Sequence, residues 1–249
     1  MRRRIRDLLP GPVRRALGGL VATRRARRLG RLSVPEAFDE IYRKGYWKQG
    51  EALSGVGSEG RWADDYCDII AGLVRTHGLK SAVDAGCGDF SVGSRIAPLF
   101  GTYAALDVSA FIIDQNRRTF GHLTNVRFET RNLIEDDIPR ADLVMVRQVL
   151  QHLTNAQILA VLETIDRSGA PMVLVAEEHP ARDFIANRDL TGHSVLTRGD
   201  AGSGVDIRQP PFNRPATVIA RLKQRPDPSA TEPVLTLSLL DRRGSAGAT

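Results

Sequence analysis

The chain has 249 residues, 42% of them hydrophobic and 26% charged, which suits one sizeable core in a single α/β domain with appendages. Its formal charge of +6 is unevenly spread: residues 1–32 hold eleven arginines against one aspartate, and the remainder is net −4. That negative remainder argues against a catalytic surface gripping nucleic acid. Two cysteines, Cys67 and Cys87, argue against a disulfide framework and for a reducing, cytoplasmic setting, and no run of about 20 apolar residues offers a membrane span.

The chain opens on that arm, residues 1–32. Ile5, Leu9, Val13, Leu17 and Leu20 recur at helical spacing opposite Arg2, Arg6, Arg14 and Arg15, with Pro10, Pro12 and Gly18-Gly19 interrupting any long helix. Two readings fit: a segment lying peripherally on an anionic membrane surface, at about 1 kcal/mol per basic residue, or a solvated arm. The segment contains no serine, which argues against an organellar transit peptide.

Residues 33–249 read as one domain. Trp62, Tyr66, Ile69, Ile70, Leu73 and Val74 share a helical face, and the segment stops at Gly78. A buried strand follows at Ser81 to Ala85, and Gly86-Cys87-Gly88 comes at once, where a strand turns into a helix and glycine lets backbone approach a ligand. A second apolar run, Tyr103 to Leu106, ends at Asp107, 19 residues past Gly88, where a carboxylate accepts from both hydroxyls of a ribose. Ser109 caps the next helix, Val126 to Thr130 alternates as a third strand ahead of Asn132, and Ala141 to Val146 is a fourth.

Thr154 and Gln157 form a capping box before Ile158, Leu159, Val161, Leu162 and Ile165. Pro171 to Ala176 is a fifth strand, and Ala216 to Leu222 and Val234 to Leu240 are two more, joined across RPDPSA at residues 225–230. Strands alternating with helices predict a doubly wound, mostly parallel sheet. The connection 177–215, rich in glycine and aspartate at residues 198–206, reads as the loop on the substrate side, with disorder as the alternative.

Three residues past Gly88 stands Ser91, and Gly93 comes two positions late, so the dinucleotide fingerprint is broken. Asp89 follows the second glycine where a phosphate loop needs lysine, and it repels phosphate. Asp84, inside the first strand, adds negative potential suited to an ammonium or sulfonium ligand, or simply caps nearby amides.

With these residues in view, VDAGCGDF at Val83 to Phe90, followed by LDVS at Leu106 to Ser109, resembles the class I S-adenosylmethionine-dependent methyltransferases, whose first motif reads roughly (V/L)-D-x-G-C-G-x-(F/G) with an acid ending the second strand. The resemblance covers about Phe38 to Leu240. It implies a Rossmann-like, seven-stranded sheet with a C-terminal antiparallel hairpin and S-adenosyl-L-methionine as cofactor. The ligand set it implies is Asp84, Gly86, Cys87, Gly88, Asp107, Val108, Asn132, Leu133 and Arg147. Upstream, Phe38 to Ser58 resembles the amino-terminal segment of a bacterial subgroup that accompanies polysaccharide or glycolipid pathways, with W…SGxGS closing over the cofactor; residues 33–60 are then the covering segment and Trp47 a cofactor contact. The subgroup commonly shows R-D after the fourth strand, whereas this chain has Arg147-Gln148.

Methyl transfer from a sulfonium is an in-line displacement, so the protein's main task is holding three atoms collinear in a dry site. A hydroxyl acceptor also needs a base. His152, after the fourth strand, and His179, after the fifth, are the candidates, with Glu177 and Glu178 as alternatives; no metal site is read. The expected function is methylation of an oxygen, secondarily a nitrogen, of a small-molecule or glycan-like acceptor. An RNA methyltransferase anchored by the arm and a non-catalytic scaffold that binds cofactor are the alternatives.

Overall fold

The computed structural model describes residues 24, 25, 27–48, 53–192, 197–224 and 232–243. The arm through residue 23, with its amphipathic spacing, and the RPDPSA connection lie outside the described residues.

The strands are β1 (Ser81–Ala85), β2 (Thr102–Asp107), β3 (Val126–Thr130), β4 (Leu143–Arg147), β5 (Met172–His179), β6 (Thr217–Lys223) and β7 (Val234–Asp241). They form one sheet in the order β3-β2-β1-β4-β5-β7-β6. The first five pair in parallel, and β7 runs antiparallel to both β5 and β6. The helices are α1 (Val34–Lys44), α2 (Gly60–His77), α3 (Gly93–Ile96), α4 (Ala110–Phe120) and α5 (Asn155–Arg167).

Alternate residues of the central strands point to opposite faces, and the core divides accordingly. Val83, Ala85, Val144, Val146, Val173 and Val175 join one apolar cluster; Ala82, Leu143, Met145, Met172, Leu174 and Ala176 join the other. A parallel sheet buried on both faces needs such runs without polar alternation.

The predicted caps form. Ser109 Oγ accepts from Ile112 N–H, and Thr154 with Gln157 closes a capping box. A second box, Ser33 with Glu36, starts α1, with Pro35 in its first turn. The strands differ from expectation mainly at β5, which continues past its apolar run because Glu177, Glu178 and His179 pair with Thr236, Leu235 and Val234 of β7. The long connection after β5 therefore begins at Pro180. It has little regular structure but is packed: Val205, Ile207 and Phe212 enter the core. Asn187 Nδ2 donates to the carbonyls of Asp206 and Pro210, each at 2.8 Å.

Candidate active site

The strand order reverses between β1 and β4, and there, beyond the carboxyl ends of the parallel strands, an open sheet forms its crevice. A cavity of about 1060 Å³, counting its open mouth, occupies that position. Its floor is the turn after β1. Gly86 and Cys87 N–H both donate to Leu106 O at 2.8 Å, Gly88 N–H donates to Asp107 Oδ2 at 3.0 Å, and Asn116 Nδ2 donates to Gly88 O at 2.7 Å. Gly86 has φ 91°, and a Cβ there would lie 2.3 Å from Val149 Cγ2; one on Gly88, at φ 56°, would lie 2.4 Å from Ser54 Oγ. Both glycines are needed for close approach and for left-handed backbone.

Two carboxylates flank the turn. Asp107, 5% exposed, also accepts from Ser109 N–H at 2.9 Å, and Asp84 accepts from Tyr103 Oη at 3.0 Å. Burial pushes each up to about 6, against hydrogen bonds that pull the other way. The same burial, with Asp107 and Asp84 nearby, holds the Cys87 thiol well above its ordinary range; it is no thiolate nucleophile.

The segment after α1 is fastened over this floor. Asp89 Oδ2 accepts from Leu53 N–H at 2.7 Å and Ser54 N–H at 3.0 Å, and Ser54 Oγ accepts from Asp89 N–H at 2.8 Å. Asp39 of α1 accepts from Ser109 Oγ at 2.5 Å and Phe111 N–H at 3.1 Å, at the start of α4. Arg147 Nη1 donates to Gly57 O and to Gln148 Oε1, each at 2.8 Å. Gln148, with φ 55°, thus places an amide where the subgroup has an acid, and its side chain fills the space a Cβ on Gly57 would need.

On the opposite side, Trp47 lies over His152 with ring centroids 4.7 Å apart and planes 37° apart, and Phe38 meets His152 edge-on at 6.2 Å. His152 is buried in the short turn Leu150–His152, beside Gln151. Gln151 is 4% exposed and lines the cavity, yet its Oε1 has no hydrogen-bond partner. A buried acceptor left unpaired in a residue that lines a cavity is suited to a donor on a ligand.

The structure brings Trp47, Asp84, Gly86, Cys87, Gly88, Asp107, Val108, Asn132, Leu133, Arg147 and His152 to one lining. It does not bring there His179, a candidate base beside His152, or Glu177 and Glu178, the alternatives. All three lie in the extension of β5. Glu177, 1% exposed, accepts from the N–H groups of Val149, Leu150 and Gln151 at 3.0, 2.9 and 3.1 Å, and burial raises it to about 8. His179 Nε2 bonds Val205 O at 2.8 Å and its ring packs on Phe184. Tyr46, next to Trp47 in the sequence, does not line the cavity and donates to Glu40 at 2.9 Å.

Val34, Phe38, Tyr42, Tyr66 and Gln151 also line the cavity and were not individually read as site residues from the sequence, whereas Ser54 and Ser58 belong to the SGxGS stretch expected to close over the cofactor and Gln148 is the departure from R-D. The signal for the first three was available: S-V-P-E at Ser33 to Glu36 is a capping box ahead of apolar residues at helical spacing.

Residues 83–171 match the family model of a methyltransferase domain. Among solved structures, the chain is similar to the N-methyltransferase NodS from Bradyrhizobium japonicum in complex with S-adenosyl-L-homocysteine, at 15% identity and TM-score 0.57 over 80% of this chain and 96% of that one. It is also similar to an S-adenosylmethionine-dependent methyltransferase from Leishmania major, at 16% identity and TM-score 0.56 over 81% of each chain. The methyltransferase domain of a bacterial Hen1 matches at 14% identity and TM-score 0.51, over 71% of this chain and 97% of that one. These likenesses show the fold. No curated protein matches.

Proposed function

From a chain that carries a methyltransferase domain on the class I S-adenosylmethionine-dependent methyltransferase fold, we infer an enzyme that uses S-adenosyl-L-methionine to methylate an oxygen of a small-molecule or glycan-like acceptor. The cofactor supplies an electrophilic methyl group on a sulfonium. The observation that carries the reading is the meeting of the glycine turn, both carboxylates and the Trp47–His152 pair in one cavity.

Asp107 receives the ribose hydroxyls and Asp84 faces the cationic end, while Val108, Asn132 and Leu133 flank the adenine. The fastened segment with Ser54, Ser58 and Trp47 excludes water, so that charge and orientation act in a medium of low dielectric. His152 takes the proton of the acceptor hydroxyl, and Gln151 Oε1 accepts a second donor that sets its orientation. A glycan-like acceptor follows from the resemblance of residues 38–58 to the polysaccharide-associated subgroup. A nitrogen acceptor is the second reading, favoured by the likeness to NodS, an N-methyltransferase.

Calorimetry with S-adenosyl-L-methionine and S-adenosyl-L-homocysteine comes first; no affinity for either ends the reading. Transfer of labelled methyl to polysaccharide and glycolipid fractions then tests the acceptor. His152→Ala should lower kcat about 10²- to 10⁴-fold with S-adenosyl-L-homocysteine affinity kept, and near-full turnover would remove the base.

A further inference from the structure

Five arginines, Arg24, Arg25, Arg27, Arg28 and Arg31, stand within eight residues that contain no acid. The segment is anchored. Leu29 is fully buried in the cluster that holds Phe38 and Ile41 of α1, the Arg25 guanidinium lies 3.9 Å over the Tyr46 ring, and Arg28 pairs with Glu40. Arg24, Arg27 and Arg31 are exposed, and their side chains have no partner among the described residues. Arg31 stands near the cavity: Val34, which lines it, follows by three residues, at most about 11 Å of chain. A Cβ on Gly192, in the connection after β5, would lie 3.7 Å from Gly30 Cα.

We propose that this arginine cluster docks on the anionic headgroups of a lipid bilayer and holds the cavity mouth beside it, so that the methyl acceptor is one presented at that surface. The acceptor clause rests on the function proposed above; the docking does not. Two observations favour lipid over nucleic acid. Upstream, arginines alternate with Ile5, Leu9, Val13, Leu17 and Leu20 at helical spacing, apolar groups that a bilayer interface buries and a phosphate backbone does not. The rest of the chain is net −4, which opposes a polyanion reaching past the arm. Among the described residues no helix is long and apolar enough to cross a membrane, so docking at the surface is the geometry the cluster serves.

The test is sedimentation of the full chain with phosphatidylcholine vesicles, with and without phosphatidylglycerol. Binding is expected only to the anionic vesicles and should weaken as salt is raised. Each arginine is worth roughly fivefold in partition, so Arg24→Gln, Arg27→Gln and Arg31→Gln combined should lose roughly a hundredfold, and the three lysine replacements should restore most of it. Equal binding to neutral vesicles, an unchanged glutamine variant, or duplex RNA held more tightly than the anionic vesicles would overturn the proposal. Calorimetry with S-adenosyl-L-homocysteine on the same preparations reports folding. Its failure in the unmodified chain would remove the enzymatic reading while leaving the vesicle result to be judged alone.

Discussion

Asp84 and Asp107 show how burial sets a residue's task. Each is held near 6 because desolvation outweighs the hydrogen bonds it receives, so at neutral pH the cavity confines two carboxylates, offset at Asp84 by the Arg147 guanidinium. A cationic ligand relieves this. Affinity for S-adenosyl-L-methionine should therefore rise as pH increases through about 6, because below it both groups are neutral and attract nothing. S-adenosyl-L-homocysteine, which lacks the sulfonium, should show a shallower rise by calorimetry, and identical profiles would place neither acid near the sulfur. Asp107→Ala should weaken cofactor binding by about 1 to 3 kcal/mol, since it removes a ribose acceptor and leaves Gly88 N–H without its partner.

At the scale of elements, residues 33–60 are tied to other parts of the chain at three points: their own Asp39 on the start of α4, Asp89 on Leu53 and Ser54, and Arg147 on Gly57. Asp89→Ala would strip the backbone N–H groups of Leu53, Ser54 and Ser91 of their acceptor. It should speed release of S-adenosyl-L-homocysteine about tenfold, read by stopped-flow fluorescence of Trp47, with little change in melting temperature. An unchanged release rate would mean that the segment does not hold the ligand in.

Glu177 does the corresponding work for the turn that carries Gln151 and His152. Its folded-state value, about 8, lies above its ordinary one, 4.5. Its contribution to stability is thus fully present below about 4.5 and lost as pH rises through about 8. Denaturant titrations should show that decline in the unmodified chain and its flattening in Glu177→Gln, which at acid pH should be less stable by about 1 to 3 kcal/mol because an amide N–H₂ then faces a backbone donor.

For the whole molecule, strand order decides where these parts meet, because β1 and β4 adjoin at the reversal and open a crevice into which β1, β2 and β4 deliver their carboxyl ends. The glycine turn, Asp107, Asn132 and the caps at Ser109 and Thr154 were legible in the sequence, since each is a local signal: a few residues whose backbone or hydrogen-bonding needs reveal their place. Strand periodicity was legible for the same reason and marked all seven strands within a few residues. Three matters depended on contacts between distant parts of the chain. Pairing with β7 prolongs β5 and turns Glu177 and His179 from open candidates into buried supports. Packing of α1 against α4 brings Val34, Phe38 and Tyr42 onto the cavity, and the turn after β4 leaves Gln151 Oε1 buried without a partner. A sequence by itself determines what a residue offers, because charge, shape and local propensity travel with it. Which groups are satisfied and which are left for a ligand was decided by the tertiary structure, because burial and hydrogen-bond partners come from neighbours remote along the chain.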